Sequence, residues 1–117
     1  MKSVLVIEDN LELRENTTEL LELAGYKVFT ADDGKLGFEQ ALRYHPDVIV
    51  CDIMMPVWDG SFFLKQIKKE SSTKEIPLVF FSAGSAPPYI RKDIEAGGSK
   101  YLNKPFTGDE LLNAVAA

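Results

Sequence analysis

The sequence predicts an α/β fold: an open, doubly wound sheet of five parallel strands in three layers, with helices on both faces. Three observations carry this. Short apolar runs alternate with segments of helical spacing five times along the chain. The runs are almost free of charge, as burial on both faces of a parallel sheet demands. The connections are short, and five strand–helix units are too few to close an eight-stranded barrel. With 117 residues and no internal repeat, low-complexity tract or linker, the chain reads as one domain over 1–117 with one core.

Each element has its own signal. Val4-Leu5-Val6-Ile7 is a continuous β-branched run, and Tyr26-Lys27-Val28-Phe29 a weaker second strand. Val48-Ile49-Val50-Cys51, Leu78-Val79-Phe80-Phe81 and Lys100-Tyr101-Leu102 supply the third to fifth. Thr17, Leu20, Leu21 and Ala24 recur at helical spacing, and Gly25 supplies the stop. Phe38, Ala41 and Leu42 mark the second helix, which closes before Pro46. Phe63, Leu64 and Ile67 mark the third. Ile90 and Ile94 mark the fourth, which starts at Pro87-Pro88 with Ser85 or Ala86 near its cap and ends at Gly97-Gly98. The fifth opens at Thr107 with Glu110 three residues on, a capping box, and Leu111, Leu112 and Val115 form its apolar face.

Composition excludes several classes. A formal charge of −5 argues against direct nucleic-acid binding, which needs a basic face. The apolar run at the start lasts only from Val4 to Ile7, too short for a signal peptide, and no run approaches the roughly 20 residues of a membrane span. One cysteine cannot form an internal disulfide, so a reducing, cytoplasmic setting is expected.

Open parallel sheets bind ligands at the carboxyl ends of their strands. There the first strand ends in Glu8-Asp9, the third in Asp52 and the fourth in Ser82, while Lys104-Pro105 follows the fifth. Singly, each has a bland reading: Asp9 or Asn10 caps a helix, Ser82 is a turn residue, Lys104 is solvated. Together they have a chemistry. Close carboxylates repel unless a cation neutralises them, and an oxygen-only set without a His or Cys cluster suits Mg²⁺. A carboxylate beside such an ion is a nucleophile toward phosphorus, with Lys104 and Ser82 available to the phosphoryl oxygens.

Val-Ile-Glu-Asp-Asn, Asp-Ile-Met-Met-Pro-Val-Trp-Asp-Gly, Phe-Ser-Ala and Tyr-Leu-Asn-Lys-Pro-Phe resemble, in order and spacing, the successive motifs of two-component response-regulator receiver domains, the chemotaxis regulators among them. The resemblance runs from about residue 3 to the C-terminus. It implies a flavodoxin-like sheet of order 2-1-3-4-5 and Asp52 as phosphoacceptor. Asp9 and Asp52 would bind Mg²⁺ directly, with the Met54 backbone carbonyl as third protein ligand and Glu8 acting through water. Lys104 would pair with the phosphate and Ser82 would donate its hydroxyl to it. Tyr101 matches the aromatic whose ring moves inward as Ser82 closes on the phosphate. A cis peptide is implied between Lys104 and Pro105. The implied partners are a histidine kinase or histidine phosphotransfer protein, and a downstream protein target on the face formed by the fourth helix, fifth strand and fifth helix.

Met54 and Gly84 stand two residues past Asp52 and Ser82, positions that in this family influence hydrolysis of the aspartyl phosphate. Neither side chain activates water, so a long-lived adduct is expected. Cys51 reads as an inert core thiol, His45 as a helix-end residue without partners, Lys65, Lys68 and Lys69 as a solvated face, and Trp58 as a shield of the loop after Asp52 or a partner contact. The domain is expected to modify only itself and to turn over no external metabolite. No output segment lies within these residues, which fits a single-domain regulator or a piece of a larger one. Three rivals are weaker. An aspartyl-nucleophile phosphatase commonly carries a second acid where Met54 stands, and a flavin or nucleotide module needs a Gly-rich loop where Glu8-Asp9-Asn10 would repel phosphate. A receiver acting only as an interaction module would not need the full acidic set.

Overall fold

The computed structural model describes residues 2–55, 57–82, 87–97, 99–103 and 106–116. Strands and helices alternate: β1 (Ser3–Ile7), α1 (Leu11–Leu23), β2 (Lys27–Ala31), α2 (Gly34–Tyr44), β3 (Val48–Asp52), α3 (Gly60–Lys69), β4 (Leu78–Ser82), α4 (Pro88–Ala96), β5 (Lys100–Asn103) and α5 (Gly108–Ala116). All four strand pairings are parallel, in the order β2-β1-β3-β4-β5. The expected doubly wound sheet is therefore the one that forms, in the expected order.

Alternation along the strands sorts the core into two layers. Val4, Val6, Val48, Val50, Val79 and Phe81 face Leu21 of α1 and Leu111 and Val115 of α5. Leu5, Ile7, Ile49, Cys51 and Phe80 face Ala41 of α2, Phe63, Leu64 and Ile67 of α3, and Ile90 and Ile94 of α4. The central strands β3 and β4 are buried along their full length. Edge strand β2 is not: Lys27 Nζ lies over the Phe29 ring, which stacks on Tyr44 at 4.4 Å, and Arg43 lies over the Tyr44 ring.

Helix starts follow local capping chemistry. Asn10 accepts from Leu13 N, Asp33 from Leu36 N and Asp59 from Phe62 N. At α5 the reciprocal box forms as expected: Thr107 Oγ1 accepts from Glu110 N at 3.0 Å, and Glu110 accepts from Thr107 N at 3.1 Å. Helix α4 has Pro88 in its first turn and Pro87 at its cap, with no side-chain cap bond; the expected cap residues Ser85 and Ala86 lie outside the described residues. Helix α1 stops at Leu23, so Ala24 is its exposed C-cap instead of part of the buried face. His45 is the C-cap of α2 in a left-handed conformation, φ 46°.

Candidate phosphoacceptor site

Register brings the site together. Ile7 pairs with Cys51, so the next residues, Glu8 and Asp52, emerge side by side from β1 and β3. Asp52 pairs with Phe81, which places Ser82 one step further along β4, and Ser82 pairs with Asn103 of β5. Ligand oxygens of Glu8, Asp9 and Asp52 all lie within 4.8 Å of one another. Glu8, Asp52 and Ser82 are buried, at 1%, 6% and 2% exposure, while Asp9 is exposed at the mouth. Two of the three carboxylates are thus buried at the carboxyl end of the sheet, and the third is in solvent.

The surrounding backbone holds these groups in place. Glu8 donates its N–H to the Ala31 carbonyl, and its own carbonyl accepts from Arg14 Nη1 at 2.9 Å. A Glu8 carboxylate oxygen accepts from Asn10 N at 3.2 Å, and Asp52 Oδ1 accepts from Met54 N at 3.0 Å. Ile53 N donates to the Phe81 carbonyl, and Gly60 N closes the loop onto the Ile53 carbonyl at 2.8 Å. A Cβ at Gly60 would sit 2.9 Å from the Ile53 Cα, so this closure requires glycine. The oxygen-only donor set and its spacing suit a hard cation such as Mg²⁺.

A search against family models matches residues 4–116 to the response regulator receiver domain. This chain belongs to that family. Within it, the phosphate regulon transcriptional regulatory protein PhoB of Escherichia coli is 33% identical over 116 residues, covering 99% of this chain and 51% of PhoB. The receiver domain here spans about half the length of the curated relatives first matched. Chemotaxis protein CheY4 of Vibrio cholerae superposes with a TM-score of 0.90 at 32% identity, covering 99% of this chain and 97% of CheY4. The receiver domain of a Pseudomonas aeruginosa sensor histidine kinase, solved with a magnesium ion coordinated in its active-site cleft, superposes at 0.87 with 27% identity, over 97% and 93% of the two chains.

Of the residues singled out in the sequence, Glu8, Asp9, Asp52 and Ser82 converge on this receiver domain's cleft. Met54 follows, its side chain half exposed at 53%. Tyr101 is half-buried on β5 beneath the Arg91 guanidinium, 4.8 Å from its ring centroid. Lys104, the peptide joining it to Pro105, and Gly84 lie outside the described residues. Cys51 is buried next to Asp52, and its thiol is pushed well up, first by burial and then by the Asp52 and Glu8 charges. Trp58 is wedged between Phe38 of α2 and Phe62 of α3, at 5.8 and 4.8 Å. It ties the loop after Asp52 to α2 and α3, contacts its sequence neighbours did not specify.

Three polar residues of α3 and α4 escaped the sequence reading: Arg91, Ser61 and Asp93. Each carries a partner from a different element. Only the tertiary fold pairs them, and no local pattern announces them. Among the described residues, no helix is long and apolar enough to cross a membrane.

Proposed function

We propose that Asp52 accepts a phosphoryl group from a histidine kinase or histidine phosphotransfer protein, and that the adduct switches the domain for a downstream protein. One observation carries the reading: Glu8, Asp9 and Asp52 converge within 4.8 Å at the carboxyl end of the sheet. Asp52 is the nucleophile because it ends the central strand β3, with Glu8 beside it on β1 and Ser82 one step further along β4. Its oxygen forms the new O–P bond as the donor's P–N bond breaks, and the electron pair returns to the donor's imidazole. Ser82 donates its hydroxyl to a phosphoryl oxygen, and Lys104 pairs with another.

Asp9, Asp52 and the Met54 carbonyl would hold Mg²⁺, with Glu8 acting through water. The ion would supply charge neutralisation for the carboxylates and the phosphoryl oxygens. Ser82 and Tyr101 then report the adduct to the face of α4, β5 and α5, where the downstream protein reads it. The domain acts as one unit over 1–117, in the cytoplasm, turning over no external metabolite. The charge of −5 supports a protein target over direct nucleic-acid contact.

Incubation with Mg²⁺ and acetyl phosphate, followed by intact mass, tests this. A gain of one phosphoryl group that is lost in Asp52→Asn supports the reading; no gain in the wild type overturns it. Met54 presents an exposed thioether that cannot polarise water, so the adduct decays slowly. Phosphate release after donor removal should take minutes or longer. Met54→Asn with Gly84→Glu should change that rate.

A further inference from the structure

Helix α4 is held on its two flanks by different polar contacts. On the α3 side, Ser61 Oγ donates to Asp93 Oδ2 at 2.8 Å. Ser61 is buried in the first turn of α3, directly after Gly60, whose N–H closes the loop leading from Asp52. On the β5 side, Arg91 covers the Tyr101 ring, while its Nε pairs within α4 with Glu95 at 3.2 Å. Between these contacts the apolar seat is narrow: Ile90 and Ile94 are the buried residues of this nine-residue helix. Its N-terminus has no side-chain cap, and its last turn carries no basic residue.

We propose that Ser61 and Asp93 form a latch that sets the resting position of α4, and that its release frees α4 to move with Arg91 and the Tyr101 ring. The proposal rests on the phosphoryl-switch reading above. Its donor is a buried hydroxyl and its acceptor a carboxylate, a type of bond stronger than a neutral pair. Opening it returns the Asp93 carboxylate, on the exposed side of α4, to water, whereas the Ser61 hydroxyl stays in the protein. Release is thus uphill but affordable, as a reversible catch requires. The latch also shares α3 with the loop from Asp52, so a shift of that loop reaches α4 through one hydrogen bond.

Hydrogen exchange by mass spectrometry on the unphosphorylated protein reads the latch directly. In Ser61→Ala, amides of Arg91–Ala96 should exchange about threefold faster or more, with α1 and α2 unchanged. Asp93→Asn keeps an uncharged acceptor and should fall between Ser61→Ala and wild type. The initial rate of phosphorylation by acetyl phosphate should rise by a similar factor, because more molecules hold α4 released. Unchanged exchange in α4 overturns the latch. So does faster exchange without faster phosphorylation, which makes the bond a static tie. A wild type that takes no phosphoryl group overturns the switch reading instead, and the exchange result then decides the latch alone.

Discussion

At the scale of single residues, the loop after Asp52 stores strain. Val57 is β-branched, 90% exposed, and held at φ 69°. Left-handed conformations of such residues cost roughly 1–3 kcal/mol. Val57→Gly relieves that cost while adding the unfolded-state entropy of glycine, which leaves a net gain of about 1 kcal/mol, visible as a higher urea midpoint. Cys51 makes a second residue-scale prediction. Its thiol, raised by burial and by the adjacent carboxylates, stays protonated in the folded chain. The unfolded thiol ionises above about pH 8.5. The associated stability is therefore present below that pH and lost as pH rises beyond it. Urea unfolding near pH 7 and about pH 9.5 should show a loss of stability that shrinks in Cys51→Ala. The carboxylates, Ser82 and the inert thiol were legible because each sits at or beside a strand end, and strand ends are marked by where apolar runs stop. The strain at Val57 was not, since conformation in a loop depends on how both ends are tied.

At the scale of elements, Gly60 shows how one position joins two of them. As the first residue of α3 it ought to gain from alanine, by helix propensity. Backbone geometry reverses the sign: the added Cβ would meet the Ile53 Cα at 2.9 Å and the Phe80 ring at 3.2 Å. Because the nearest obstacle is main chain, it cannot rotate away. Gly60→Ala should cost about 1–3 kcal/mol in chemical denaturation and displace the loop that carries Met54. Strand positions were readable to within a residue or two, since short β-branched and aromatic runs recur between segments of helical spacing. Helix starts were less so. The apolar faces of α1, α2 and α3 begin well inside the helices, whose first turns rest on the polar caps Asn10, Asp33 and Asp59. Where a capping box was spelled out, at Thr107 and Glu110, the start was read correctly.

At the scale of the molecule, the doubly wound topology explains why so scattered a set of residues acts together. A parallel sheet sends every strand out of the same edge, so the ends of β1, β3 and β4 converge although the sequence separates them widely. The same topology leaves two lateral borders of the sheet unpaired. Along β2 that border is dressed with the Lys27–Phe29–Tyr44–Arg43 stack, two cations closing a pair of rings. Charged, crowded borders are poor templates for a stray strand. Self-association by strand addition is thereby discouraged at β2, and contacts with other chains are steered to the helical faces, where side chains and not bare backbone choose the partner.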